Sequence, residues 1–257
     1  MSKFDIERSG TGTKEWAEHV CNIQIGCSNS CLYCYAAQNA SRFKVRPREN
    51  WKYEELTAKA NMSSYPKKKG VVMFPSSHDI TSFNLNAYIR VAKIILEAGN
   101  QLLIVTKPDI TCSQHLITEL SEWKEQILFR FTIGTMGEGI SAFWEPGAPR
   151  PGERLESLRM AWAAGFATSV SAEPLLGGIN TAITIITSVD KYVTDTIWIG
   201  KLNKARLRVP SEFHDHVEKI EAMQTDDLII KIHSCFKDNP KIRWKDSIKE
   251  VIERCGR

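Results

Sequence analysis

Short runs of β-branched, aliphatic and aromatic residues alternate along this chain with longer stretches of helical periodicity. Runs at 19–25, 71–74, 101–106, 127–133, 167–171 and 194–199 have the length and apolar content of buried strands. Between them, apolar residues recur at helical spacing over 84–98, 112–124, 153–164 and 179–188, and two shorter helical stretches, 32–39 and 54–60, follow the first strand. Gly99, Gly165 and Gly200 stand where helices or strands should stop. Strands separated by helices are the rhythm of parallel βα units, whose right-handed crossovers curl a sheet toward a barrel with its helices outside. The expected fold is an α/β, TIM-like partial (β/α)6 barrel, with a core over about 19–203 and a helical C-terminal extension over about 204–257. In such a barrel the C-terminal ends of the strands surround one cavity, so distant segments build a single site.

The 257 residues and 42% hydrophobic content suit one well-cored domain. The opening MSKFDIERSGTGTKEW is polar, and nowhere do eighteen apolar residues run together, so the expectation is a cytoplasmic protein with no membrane partner. A net charge of +4 decides nothing, but its distribution is uneven. Over 41–70, Arg42, Lys44, Arg46, Arg48, Lys52, Lys59, Lys67, Lys68 and Lys69 face only Glu49, Glu54 and Glu55. Phe43, Trp51, Tyr53 and Tyr65 are interleaved with them, a mixture that suits phosphate contact and base stacking. A solvated helical face with aromatic anchors has the same composition. The KDSIKEVIERCGR end reads as an amphipathic closing helix.

The segment CSNSCLYCY places Cys27, Cys31 and Cys34 at CxxxCxxC spacing in the loop after the first strand. Three thiolates in one loop can hold three irons of a 4Fe-4S cluster and leave the fourth open to an exogenous molecule. A zinc site would need a fourth nearby ligand, and no second CxxC or close His pair supplies one. Seven cysteines in a chain of this size do not read as a disulfide framework. Cys21, Cys112, Cys235 and Cys255 are scattered and suit inert thiols. Other polar residues arrive at the same strand ends: Ser76, Ser77, His78 and Asp79, then Lys107, Thr132 and Thr135, Glu173, and Lys201 with Asn203.

With the aromatic Tyr33 before its last cysteine, the loop resembles the CxxxCxΦC signature of the radical S-adenosylmethionine (radical SAM) superfamily. FPSSHDIT, LLIVTKPD, ILFRFTIGT and EPGAPRPGERLESLRMAWAAGF further resemble segments of its spore photoproduct lyase branch, over about 22–176, and AEPLLGG resembles a stretch of phage-associated radical SAM proteins. The resemblance implies that the cluster, on Cys27, Cys31 and Cys34, reductively cleaves S-adenosylmethionine to a 5′-deoxyadenosyl radical that takes hydrogen from a substrate. It implies that Ser76 and Ser77 hold the methionyl amino group, Lys107 the carboxylate and Thr132 the ribose, with Tyr33 near the adenine and Glu173 lining that pocket. It also implies a one-electron reductant of flavodoxin or ferredoxin type. One departure is plain: the lyases carry a hydrogen-donating cysteine in the segment matching FPSSHDIT, and this chain has none there. Cys112 or Tyr35 are the substitutes available, or the reaction needs no donor.

The reading is a radical SAM enzyme acting on a nucleic acid or nucleotide, with Arg42, Lys44, Arg46 and Arg48 as phosphate contacts. Two others stand beside it. One is modification of a peptide or protein, although the residues after Leu202 add only Cys235 and Cys255. The other is a non-catalytic iron–sulfur protein, with Cys21 as fourth ligand.

Overall fold

The computed structural model describes Phe4 and residues 10–255. After a 3-10 turn at Gly12–Glu15 come strands β1 (His19–Val20) and β2 (Gln24–Ile25), helix α1 (Tyr35–Arg42), β3 (Glu55–Leu56) and β4 (Val71–Met73). Helix and strand then alternate: α2 (Leu85–Glu97), β5 (Gln101–Thr106), α3 (Ile110–Glu119), β6 (Ile127–Thr132), α4 (Glu138–Trp144), α5 (Pro151–Ala163), β7 (Ala167–Ala172), α6 (Ile179–Val189) and β8 (Ile197–Ile199). The remainder is α7 (Ala205–Arg208), α8 (His214–Met223), α9 (Asp226–Phe236), β9 (Ile242–Trp244) and α10 (Asp246–Cys255).

Seven strands form one parallel sheet in the order β1-β4-β5-β6-β7-β8-β9, the half-barrel expected for repeated right-handed βα units. Both faces are buried. On the helix side Val72, Leu102, Ile104, Phe129, Phe131, Val170, Ile197 and Ile199 join the main core with α2, α3, α5, α6, α9 and α10. Alternate residues, Val71, Met73, Leu103, Leu128 and Trp198, face the concave side and pack on Phe4, Trp16 and Ala17. The N-terminal segment therefore fills part of the half-barrel's hollow.

Three expectations need correction. The run 19–25 is not one strand: β1 ends at Val20, and β2 leaves the barrel to pair antiparallel with β3. Asn22 marks the departure, its Oδ1 accepting the Ser76 and Ser77 N–H groups at 2.8 and 3.0 Å. The stretch 54–60 is not an α-helix, because β3 spends its backbone groups on β2 and only a 3-10 turn, Ala58–Asn61, follows; tertiary pairing has overridden local propensity. The sheet has seven strands, not six, because the C-terminal extension, helical elsewhere, inserts β9 beside β8. Its last segment is the amphipathic helix α10, burying Ile248 and Val251.

Candidate active site

The cysteine loop is held from several sides. Cys27 N–H donates to the Trp51 carbonyl at 2.7 Å, and Leu32 N–H to that of Trp144 at 2.9 Å. Gly147 N–H donates to the Asn29 carbonyl at 3.1 Å, so close that a Cβ on Gly147 would lie 2.1 Å from the Ser28 oxygen. Arg48 Nη2 caps the Leu32 carbonyl at 2.5 Å, and Glu54 Oε1 accepts from the Ser28 N–H and hydroxyl, each at 3.0 Å. Cys34 is the N-cap of α1, its sulfur accepting the Ala37 N–H at 3.4 Å.

Beneath the loop lies a buried ion pair. Arg154 Nη2 stands 2.6 Å from Glu145 Oε2, both side chains having no exposure, and the Tyr33 hydroxyl donates to Glu145 Oε1. Arg154 also donates to the carbonyls of Pro149 at 2.8 Å and Thr132 at 3.2 Å. The two ends of EPGAPRPGER thus meet under Tyr33 and join the cysteine loop to the end of β6.

The nine residues that the resemblance assigns to the cluster and S-adenosylmethionine, Cys27, Cys31, Tyr33, Cys34, Ser76, Ser77, Lys107, Thr132 and Glu173, line one cavity of about 410 Å³ at the strands' C-terminal ends, together with His78, Asp79, Lys201 and Asn203 but without Thr135. Asp79 organises its wall, accepting from the Asn29 amide at 3.0 Å and the Lys107 N–H at 2.7 Å, as well as from the Thr106 hydroxyl. Burial pushes its carboxyl up, but Lys107, the Thr106 hydroxyl and backbone N–H groups outweigh that and hold it below the ordinary range. Lys107 Nζ lies 3.5 Å from Asp79 Oδ2; burial pulls its ammonium down, and the Cys31 sulfur with the Asp79 and Glu145 carboxylates more than restores it. The Tyr35 hydroxyl donates to the Ser76 carbonyl, and the Asn22 amide to the Ser76 hydroxyl at 2.9 Å. Glu173 is 29% exposed, and burial raises its carboxyl despite Lys245.

Burial pushes the Cys27 thiol well up and that of Cys31 to about 12, so without metal both are neutral thiols at neutral pH. Lys107 opposes that rise at Cys31, the compensation a negatively charged cluster needs. Among the described residues no three His, Cys, Asp or Glu side chains gather closely enough to hold a single metal ion. The donor set, three thiols lining one cavity, has the chemistry of a multi-iron cluster site.

Cys21 is outside the cavity, buried in the main core, with its thiol pushed to about 11 by burial. Of the two substitute hydrogen donors, Tyr35 lines the cavity and Cys112 packs into the core beside Asp109. The basic stretch divides. Arg46 pairs with Glu55 and donates to the Tyr53 carbonyl at 2.5 Å, and Arg48 serves the cysteine loop. Arg42, Lys44 and Lys52 are exposed beside Phe43 (66% exposed) and Tyr53 (60%), with the Arg42 guanidinium 5.4 Å from the Phe43 ring and Lys52 Nζ 5.2 Å from that of Tyr53.

Sequence reasoning missed the N-terminal residues Thr11, Gly12, Thr13 and Trp16, which line the cavity, and Arg208 of α7, whose guanidinium lies 6.0 Å from the Tyr35 ring. Burial lowers the Arg208 pKa, with Glu173 acting against it. The only early signal for Arg208 was its basic neighbourhood, ARLR, just after the sixth predicted strand. Among the described residues no helix is long and apolar enough to cross a membrane.

No known protein-family profile matches the chain. An uncharacterized protein of Acidianus two-tailed virus, ORF301, is 29% identical over 184 residues, covering 66% of this chain and 60% of the viral protein, so the match spans less than two thirds of that relative. Spore photoproduct lyase complexed with dinucleoside spore photoproduct superposes with a TM-score of 0.58 at 13% identity, over 93% of this chain and 79% of the lyase. SuiB of Streptococcus suis bound to its precursor peptide SuiA gives 0.52 at 10% identity, over 72% of this chain and 40% of SuiB. At such identities the likeness is one of architecture: the chain has the partial-barrel α/β fold shared by spore photoproduct lyase and SuiB, both radical SAM enzymes.

Proposed function

We propose that this chain is a radical SAM enzyme whose substrate is a nucleic acid or nucleotide. The observation that carries the reading is the meeting of Cys27, Cys31 and Cys34 with Ser76, Ser77, Lys107, Thr132 and Glu173, from five separate segments, around one cavity of the matching fold. When bound, a 4Fe-4S cluster with S-adenosylmethionine supplies one-electron chemistry that ends in removal of a hydrogen atom from a substrate. The three cysteines would hold the cluster, and Lys107 and the Cys34 cap position on α1 stabilise its negative charge. Lys107 is also the cation best placed for the carboxylate of S-adenosylmethionine, with Asp79 holding its backbone N–H and its ammonium. Tyr33, locked by Glu145, offers a ring face to an adenine rather than a free hydroxyl. The reading calls for a reducing compartment and a flavodoxin- or ferredoxin-like electron donor.

Support for the substrate half comes from the cysteine loop's outer flank. Arg42, Lys44 and Lys52 stand beside two exposed rings, each with a cation of its own. Of the two matching folds, the one covered to 79% is complexed with a dinucleoside, and the one covered to 40% with a peptide. Arg46 and Arg48 drop out as phosphate contacts because the fold already uses them.

The test is anaerobic reconstitution with iron and sulfide, then dithionite and S-adenosylmethionine, with chromatography for 5′-deoxyadenosine and Cys31→Ala as control. Release of that nucleoside by the wild type alone is expected; none from a fully loaded cluster overturns the reading. Binding of single-stranded DNA or RNA should weaken as salt rises, and its absence at low ionic strength removes the nucleic-acid half.

A further inference from the structure

The seventh strand brings two residues to the N-terminal turn. Lys245 Nζ donates to the Gly12 carbonyl at 2.7 Å and lies 3.3 Å from Glu15 Oε2 and 3.5 Å from Glu173 Oε2. Asp246 completes the contact: its Oδ2 accepts the Gly12 N–H at 3.1 Å and its own N–H donates to Glu15 Oε1 at 3.1 Å. The ammonium of Lys245, 1% exposed, stands 4.3 Å from the Trp16 ring and 5.7 Å from that of Trp198. Its other charged neighbours are Arg130 of β6 and Lys249 of α10. Room for this arrangement exists because residue 200 is glycine: a Cβ there would lie 2.9 Å from Lys245 Cγ and 3.0 Å from Glu173 Cγ.

Burying an ammonium is costly unless its partners answer it, and an aliphatic side chain would fill the space between two indoles without that cost. What the charge adds can be read from its partners. Glu173 faces the cavity, and Gly12 belongs to the segment whose Thr11, Thr13 and Trp16 form part of the cavity wall. Lys245 itself does not line the cavity. We propose that Lys245 is a positioning residue: it fixes the Glu173 carboxylate at the cavity wall and clamps the segment 11–16 beside it, making the seventh strand part of the ligand-binding site. The proposal stands on the cavity's construction and holds whether or not the radical SAM reading does.

Hydrogen–deuterium exchange on the full chain tests it without any cofactor. Lys245→Met should accelerate exchange in peptides covering 11–16 by about tenfold or more while peptides covering 85–106 keep their protection. The Glu173 carboxyl, followed by carbon-13 NMR and assigned with Glu173→Gln, should titrate higher in Lys245→Met, because the cation that lowers it is gone. Unchanged exchange at 11–16, uniform acceleration throughout, or an unmoved Glu173 titration overturns the proposal. Should Lys245→Met fail to fold, Glu15→Gln decides: it keeps an acceptor for the Asp246 N–H and replaces the carboxylate oxygen facing Lys245 by an amide NH2, which cannot accept from it. Faster exchange confined to 11–16 supports the clamp, and none refutes it.

Discussion

Replacing Arg154 by Met isolates the contribution of the ion pair beneath the cysteine loop. The guanidinium is fully buried against a fully buried carboxylate, Glu145, at 2.6 Å. Methionine fills much of the same volume but leaves Glu145 with only the Tyr33 and Ser141 hydroxyls, and leaves the Pro149 and Thr132 carbonyls without this donor. Removing one partner of a buried pair costs about 3–5 kcal/mol, because the remaining charge has no counter-ion. For a chain of this length that is a fall in Tm of roughly 6–20 °C. Urea unfolding of metal-free protein at pH 7, read by tryptophan fluorescence and extrapolated linearly, measures it. Glu145→Met in the Arg154→Met background should recover part of the loss, with a coupling energy of about 2 kcal/mol or more. The reasoning is refuted if Arg154→Met costs under about 1 kcal/mol, or if the double variant loses the sum of the single losses.

Gly147→Ala should abolish cluster loading, read as the visible absorbance of reconstituted protein, because its Cβ would fall 2.1 Å from the Ser28 carbonyl and push the loop outward. Metal-free protein should lose stability above about pH 9. Cys31 titrates near 12 in the fold against an ordinary 9.0, so its contribution is whole below pH 9 and is lost as pH rises toward 12. Urea midpoints from pH 8 to 11 should fall less in Cys31→Ala, and equal slopes would contradict the assignment. Phe43→Ala with Tyr53→Ala should weaken single-stranded oligonucleotide binding by about 1–3 kcal/mol per lost stack, measured by anisotropy, while leaving the salt slope nearly unchanged. Lys44→Ala should instead reduce that slope by about 1.

How far the sequence carried depended on the range of the forces involved. Strand β5 appears at its expected limits, 101–106, because a six-residue apolar run between helical patterns is a local signal. The strand ends were equally legible, since a parallel βα repeat brings them to one rim whatever the details. By contrast, β2, β3 and β9 have two or three residues each, too few for any period to show, and exist through partners some thirty or more positions away. Lys245 follows Trp244 in a segment that reads as the approach to a closing helix, and nothing local says that its ammonium will meet Gly12. Glu145 and Arg154 lie within the stretch EPGAPRPGER, but their pairing is a property of the turn between α4 and α5.

The outline of the cysteine loop is imposed from outside, by the Trp144 carbonyl, Gly147 and the Arg154 anchor, none of which is a metal ligand. Stripped of the proposed cluster by a chelator, the loop should leave a mould behind, unlike small zinc modules that unravel when emptied. Damage by oxygen would then be a matter of lost cargo, reversible by refilling a receptacle that never collapsed.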